Sequence, residues 1–383
     1  MNMIKEWAYR NLKGDPIIWL IVFILSLFSI MVVYSATGTL AYKMMGGDTE
    51  YYLVKHSALV FVSLLAMWLA HRMDYRYFSK ISKMMLWVSV PLLVYAWLYG
   101  DNINDASRWV TIPLINQAFQ PSDLAKLALL VTLAGMLSKR QNHIDDFQHS
   151  IIPMLIWIGV ICGLIAMTNI STAVLLFATC MLVLFIGRVP MKYLMMLIFI
   201  GFLAGTAAIL IGQRGETAIS RIESFVNGDT PFQAKQAYVA VASGGLFGKG
   251  PGQSDQRNYL PHPYSDFIYA IIIEEYGLVG GGAVLFLYLA LLYRGMKAAM
   301  ESERAYGGLL SAGLSFALVL QAMVNMGVAV GLGPITGLPL PLISMGGTSQ
   351  LFMGLSLGII LSVSRGEIDD IGRPVINHYR EAA

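Results

Sequence analysis

Long apolar runs separated by short polar breaks recur along this chain from Ile17 to Val363. A helix needs about 20 predominantly apolar residues to cross a bilayer. Runs that reach or approach this length lie at Ile17–Tyr34, Leu53–Leu69, Met84–Tyr99, Leu124–Leu137, Ile151–Met167, Thr172–Gly187, Tyr193–Gly212, Asp266–Leu292, Leu309–Gly331 and Leu351–Val363. The shorter ones take in flanking residues or tilt. The pattern predicts an all-α polytopic membrane protein of about ten transmembrane helices. Residues 1–16 read as a cytoplasmic N-terminal segment, 17–364 as the transmembrane domain and 365–383 as a cytoplasmic tail. The first run is long enough to span and no clean small-residue cleavage site follows it. It therefore reads as a transmembrane helix and not as a removed signal.

The positive-inside rule sets the orientation. With the N-terminus in the cytoplasm, the inner segments carry most of the cations, among them Lys5, Arg10, Arg72, Arg76, Lys80, Lys139, Arg140, Arg188, Arg294 and Arg365. Those left outside fall mainly in one long loop over residues 213–265, and long loops are weakly bound by the rule. An even number of spans then leaves both termini cytoplasmic. The long loop is too rich in aromatics for disorder, with Phe225, Phe232, Tyr238, Phe247 and Tyr259 spread along it. Within it, Pro231–Ala242 reads as a short amphipathic helix. Gly331–Gly347 is also unusual, since Gly333, Pro334, Gly337, Pro339 and Pro341 exclude a regular helix. At membrane depth irregular backbone is tolerated only against protein or a wet cavity, so this segment reads as re-entrant or pocket-lining.

Composition sharpens the picture. The 383 residues are 56% hydrophobic and 13% charged, against about 25% charged in soluble domains. A net charge of +3 is too small to argue for nucleic acid. Cys162 and Cys180 both lie inside apolar runs, and no Cys/His spacing suggests zinc.

Candidate chemistry gathers at the outer ends of the helices. Asp266 follows Leu260-Pro261-His262-Pro263-Tyr264-Ser265, where two prolines stop a helix from starting earlier. A carboxylate there faces a partly dry outer cavity, which suits a general base. The same position also suits a helix cap. Glu274 and Glu275 lie deeper in the apolar run, where an ionisable group needs protein or water around it. At ideal helical pitch Glu274 can share a face with Asp266, as a second acidic group, a brace or half of a locking ion pair. Lys126 either pairs locally with Asp123, or binds an anionic substrate group or an acidic residue of another helix. Arg108 and Trp109 stand in an outer loop, as a phosphate ligand with its neighbour or as an interfacial anchor. Gly244–Gly252 is not a Walker A motif, because Lys249 is followed by Gly250. Its backbone could form an anion nest or plain turns.

Several of these stretches, in this order, resemble the SEDS family, the polytopic glycosyltransferases of bacterial shape, elongation, division and sporulation. The resemblance rests on Ser107-Arg108-Trp109, Gln120-Pro121-Ser122-Asp123 through Lys126, Gln233 and Gln236, and Gly244-Gly245-Leu246-Phe247-Gly248. It continues through Tyr259-Leu260-Pro261, Ser265-Asp266-Phe267-Ile268, and Gly337-Leu338-Pro339-Leu340-Pro341 followed by Ser344 and Gly346-Gly347. Two stretches depart from the family pattern. His262 and Tyr264 stand where members commonly carry Glu and His. Thr168–Thr172 replaces an acidic Pro-Asp stretch, so no acidic function is assigned there.

The resemblance implies a peptidoglycan polymerase of the division branch, with an elongation enzyme as nearest alternative. Its substrates would be lipid II and the lipid-linked nascent glycan. Asp266 would be the catalytic base. The expected substrate-binding set is Arg108, Trp109, Gln120, Ser122, Lys126, Arg221, Gln233, Gln236, Lys249, Arg257, Glu274 and Ser344. A divalent cation, Mg or Mn, is an optional companion of the diphosphates. A class B penicillin-binding protein and division scaffold proteins are the implied partners, at the septum of the plasma membrane. The competing reading is a lipid II transporter, which would gather polar groups at mid-bilayer and at the inner face as well. A non-catalytic scaffold would tolerate loss of the Asp266 carboxylate.

Overall fold

The computed structural model describes residues 11–44, 49–103, 106–112, 117–211 and 215–366. The basic N-terminal residues Lys5 and Arg10 and the tail beyond 366 lie outside them. The helices are α1 (Pro16–Met44), α2 (Thr49–Arg72), α3 (Tyr75–Tyr99), α4 (Pro121–Arg140), α5 (Ile152–Thr168), α6 (Ile170–Ile186) and α7 (Met191–Ile211). They continue as α8 (Gly215–Asn227), α9 (Phe232–Gly244), α10 (Ile268–Glu301), α11 (Ala305–Ala329) and α12 (Thr348–Arg365). Eight helices among the described residues are long and apolar enough to cross a membrane. α6, with 17 residues, is apolar but shorter, and α12 is a buried 18-residue helix.

α4 and α11 are the most buried of the long helices. α12 packs against α2 through Gly354 and Gly358, where a Cβ would sit 2.2 Å from the Ser63 carbonyl oxygen and 2.5 Å from that of Met67. Small residues at this spacing let two membrane helices approach closely. Phe23, Phe61, Trp87, Phe202 and Phe286 are exposed on the outer helices, as lipid-facing side chains are.

Between α3 and α4 the chain forms a small antiparallel meander, β1 (Asp101–Ile103), β2 (Ala106–Ile112) and β3 (Gln117–Phe119). The segment around Arg108 and Trp109, read from sequence as a loop, is therefore a strand. Val110, Thr111 and Ile112 are β-favouring residues in a row.

α10 is broken. Gly277 has φ 70° and ψ −173°, and the helices before and after it are continuous. A break there frees the Glu274 and Glu275 carbonyls and the Leu278 and Val279 amides, about 13 Å down the helix from Ile268. The turn after α9 fills the gap. Lys249 and Gly250 N–H donate to the Glu274 and Glu275 carbonyls at 2.9 and 3.0 Å, and Leu278 and Val279 N–H donate to the Gly245 and Leu246 carbonyls at 2.9 and 3.2 Å. Two lost helical bonds are thus replaced by four bonds between segments. The approach leaves no room for side chains: a Cβ on Gly248 would lie 2.2 Å from the Glu275 oxygen, and one on Gly277 2.2 Å from the Leu246 oxygen. The Gly-rich run is neither an anion nest nor a free turn, since the Lys249 and Gly250 amides are consumed by helix carbonyls. α9, expected over Pro231–Ala242, is the helix that carries this turn down beside α10.

Gly248 also has φ +80°. Gly248→Ala is expected to destabilise the protein by more than about 2 kcal/mol, combining the left-handed backbone penalty with the clash. Gly252, at φ +77° with nothing within 4 Å of a Cβ, supplies the comparison. Gly252→Ala should incur only the backbone share. Thermal unfolding of both variants in detergent checks this, and equal losses would contradict it.

Candidate functional site

The irregular segment 331–347 runs from an exposed start at Leu332 to a stretch buried between the helices. Leu338, Leu340, Leu342, Ile343 and Ser344 are all buried. Its carbonyls are met by side chains from five helices. Arg221 of α8 donates to Ile335 O at 3.1 Å, Asn325 of α11 to Leu338 O at 2.7 Å, and Gln321 of α11 to Pro339 O at 2.9 Å. Tyr288 of α10 donates to Pro341 O, Ser29 of α1 to Ile343 O at 2.8 Å, and Gln350 of α12 to Ser344 O at 2.8 Å. Leu342 sits at φ 67°, unusual for a bulky residue and held only by such surroundings.

This segment fixes Asp266. Ser344 Oγ donates to Ser265 O at 2.6 Å and accepts from Leu340 N–H at 2.7 Å. Met345 N–H donates to Tyr264 O at 2.9 Å. Asn325 Nδ2, besides holding Leu338, donates to the Asp266 carbonyl at 2.8 Å. The backbone is thereby held on both sides of Asp266. Its half-buried carboxylate accepts from Ser265 Oγ at 2.9 Å. Gly337, at φ +66°, lies against it: a Cβ there would be 3.5 Å from Oδ2. Phe267, not Asp266, occupies the N-cap of α10 and makes no side-chain cap bond, so the capping role is not taken. Burial pushes the Tyr264 phenol above its ordinary range, with the charges of Tyr52 and Asp266 adding to the effect.

Glu274 does not share a face with Asp266. Asp266 precedes the helix, and Glu274 turns toward α9 and the loop after it. Fully buried, it accepts from Lys249 Nζ at 2.7 Å, Ser243 Oγ at 3.3 Å, Asp255 N–H at 3.2 Å, Gln256 N–H at 3.2 Å and Ser254 Oγ. Lys249 also pairs with the exposed Asp255 at 2.9 Å. The structure therefore gives Lys249 and Glu274 to each other as a brace for the loop. Arg257 is likewise committed, donating to Ser35 O at 3.0 Å and to Ser35 Oγ at 3.3 Å, while Ser35 donates to the buried Glu275.

Lys126 pairs with Asp123 at 2.7 Å, the local alternative. The pair also lines a cavity with Leu175, Gln321 and Ser349. Asp123 Oδ2 is buried without a protein partner. At the start of α4, Gln120 Nε2 donates to Ser122 Oγ at 2.8 Å, and Gln120 N–H donates to Thr348 Oγ1 at 3.2 Å. Trp109 lies against Gly347, its Cζ3 3.9 Å from a Cβ placed there. The Arg108 side chain falls outside the described residues. Gln233 and Gln236 are half-buried on α9, on the side that carries the buried Ala237 and Ala240. No group of three or more His, Cys, Asp or Glu is gathered for a metal among the described residues.

The match to known proteins covers this whole arrangement. Residues 15–368 fit the FtsW/RodA/SpoVE family model, described as "Cell cycle protein". The chain belongs to this family. It is 32% identical to stage V sporulation protein E of Bacillus subtilis (strain 168) over 367 residues, covering 93% of this chain and 98% of the relative. It is 31% identical to the "Probable peptidoglycan glycosyltransferase FtsW" of Geobacter sp. (strain M18) over 365 residues, covering 93% and 98%. Among solved structures, Thermus thermophilus RodA superposes with TM-score 0.67 at 25% identity, over 92% of this chain and 97% of RodA. A chain from the structure "Structural coordination of polymerization and crosslinking by a peptidoglycan synthase complex" gives TM-score 0.70 at 26% identity, over 92% and 98%.

Within the FtsW/RodA/SpoVE fold, sequence reasoning missed Asn325, Gln321 and Ser265. All three are neutral polar residues, and two stand in an apolar run. A buried amide in a membrane helix needs a partner, and irregular backbone 13 residues beyond Asn325 and 18 beyond Gln321 supplies it; that was the available signal. His262 and Tyr264 pair through His262 Nδ1 and the Tyr264 hydroxyl at 3.3 Å.

The brace is testable apart from activity. Glu274→Ala leaves Lys249 and several amides without their acceptor and is expected to destabilise by about 3–5 kcal/mol. Asp255→Ala removes only an exposed partner and is expected to stay within about 1 kcal/mol. Thermal unfolding in detergent compares them; similar midpoints would contradict the brace.

Proposed function

We propose that Asp266 is the general base of a peptidoglycan glycosyltransferase that polymerises lipid II for the division septum. Membership of the FtsW/RodA/SpoVE family and the glycosyltransferase names of its FtsW relatives support the activity. The observation that carries the site is a single half-buried carboxylate, Asp266, on a backbone clamped from both sides. The turn beside it lines a cavity that holds Arg221, and a second cavity, which holds Lys126, is linked to the turn through Gln321. In this reading the acceptor's 4-hydroxyl passes its proton to Asp266 as its oxygen bonds to the anomeric carbon of the lipid-linked strand. The bond from that carbon to the diphosphate breaks. The electron pair leaves with polyprenyl diphosphate, and the anomeric centre inverts.

Lys126 and Arg221 are the diphosphate cations, joined by Arg108. Trp109, Gln120 and Ser122 border the site at the start of α4, and Gln233 and Gln236 border it from α9. Ser344 positions Asp266 through Ser265. Lys249, Arg257 and Glu274 act further out by holding the loop. The chain crosses the plasma membrane ten times, with both termini cytoplasmic and residues 213–265 outside. A class B penicillin-binding protein cross-links the product. The synthase-complex chain that superposes on this one supports that partnership. The septal role with division scaffold proteins follows the FtsW relatives.

Asp266→Asn is expected to lower polymerisation of labelled lipid II by about 10²–10⁴-fold with the fold intact. The assay uses purified protein with its penicillin-binding partner. Asn325→Ala should lower kcat while leaving the substrate KM near wild type, because it loosens the base without touching substrate. Polymer from a folded Asp266→Asn at the wild-type rate would remove Asp266 from the mechanism. Transport of lipid II across vesicles without polymer from wild type would favour the transporter.

A further inference from the structure

Two cavities meet at Arg221. The first, about 420 Å³, is lined mainly by apolar side chains of α6, α8 and α11, including Val174, Ala178, Ile222 and Val324. Val174 and Ile222 are exposed, so it opens toward the surface between α6 and α8. The second, about 220 Å³, is the more polar of the two, with Ser224, Asp229, Thr230 and Tyr238 set among Phe225, Pro231 and Ala234. Arg221, Pro334 and Ile335 line both, and Arg221 is anchored to Ile335 O. The order along this path is apolar wall, guanidinium, then hydroxyls and a carboxylate.

We propose that this joint cavity is the donor subsite, which seats the diphosphate of the growing lipid-linked strand. The assignment rests on the polymerase reading above. A polyprenyl-diphosphate sugar has the same order: apolar tail, dianionic link, hydroxylated sugar. The proximal isoprenes lie along α6 and the diphosphate lies at Arg221, whose planar fork suits phosphate oxygens. The sugar lies among Ser224, Thr230 and Tyr238.

Two further observations make it the donor side. The wall formed by Ile335, Thr336 and Leu338 belongs to the turn whose Gly337 faces the Asp266 carboxylate. The diphosphate end of the donor, at Arg221 and Ile335, therefore lies two residues along this turn from the glycine that faces the base. In addition, the polar compartment is rimmed by the exposed Gly228, Asp229, Thr230 and Pro231, so a long glycan can emerge. Across the same turn, Gln321 holds Pro339 and lines the Lys126 cavity. That cavity is narrower, about 60 Å³, and is left for the acceptor's diphosphate.

Donor and acceptor are separable by kinetics. The donor is a labelled lipid-linked tetrasaccharide capped at its far 4-hydroxyl, so that it can only donate. The acceptor is lipid II. Ala178→Trp fills the apolar compartment and is expected to raise the donor KM about tenfold or more, leaving the acceptor KM unchanged. Inhibition by added undecaprenyl diphosphate should weaken in parallel. Ala178→Leu should give a smaller shift in the same direction and serves if the Trp variant does not fold. Ala317→Trp, in the Lys126 cavity, should raise the acceptor KM instead. A rise in acceptor KM for Ala178→Trp would overturn the assignment. So would unchanged constants in both folded Ala178 variants, which would mean that bulk phospholipid fills the groove. Either result comes from enzyme that still polymerises, whereas failure of the polymerase reading appears as absent product in wild type.

Discussion

The structure depends on one constraint: at membrane depth, backbone that leaves the helix must find its hydrogen bonds inside the protein, because each unmet group costs several kcal/mol. The chain leaves the helix twice near the centre of the bundle, at Gly277 in α10 and along residues 331–347. The first break is met by backbone, with the turn after α9 giving each freed carbonyl and amide a new partner. The second is met by side chains, with Asn325, Gln321, Tyr288, Ser29, Gln350 and Arg221 each taking a carbonyl. Neither solution tolerates much substitution. The backbone solution needs glycines at the crossing, and the side-chain solution needs amides and hydroxyls at single positions.

The two breaks together decide what the acidic residues can do. Glu274 lies where the inserted turn leaves α10, and five donors from that turn and its continuation converge on it. A carboxylate so saturated has little left for a substrate. Asp266 lies where the second irregular segment touches the start of α10. The bonds there go to its backbone and to its neighbours, and its carboxylate receives only Ser265 among the hydrogen bonds described. The same constraint therefore makes one carboxylate a brace and leaves the other available for chemistry.

Much of this was legible from the residues. The apolar runs gave the helices, and the glycines and prolines of 331–347 marked a segment that could not be helical. The proline-stiffened approach singled out Asp266. What the sequence hid was partnership. Val110-Thr111-Ile112 is too short and too apolar, among membrane spans, to stand out as a strand. Gly277 looks like one more small residue in an apolar run until Gly248 is seen against the carbonyl of Glu275. Glu274 could be read as a brace or half of an ion pair, but Lys249, 25 residues away, was not legible as its partner because nothing local shows that one closes on the other. Asn325 carries no charge, so it gave no electrostatic reason to notice it.

The saturation of the irregular segment also bears on enzyme against transporter. A carrier in which this segment itself moved as the site opened to each side would have to exchange its hydrogen-bond partners. Here six carbonyls of residues 335–344 are held by side chains of five helices, and the Ser344 hydroxyl ties the segment to Ser265. Moving the segment past its neighbours would break several of these bonds at once inside the bilayer. A wall anchored at this many points suits a different task. It can hold a base at a fixed distance from two substrates that enter laterally from lipid, one on each side, and in inverting transfer the alignment of nucleophile, carbon and leaving group is what the protein must supply. Rigidity that would disable a carrier is what positions a glycosyltransferase.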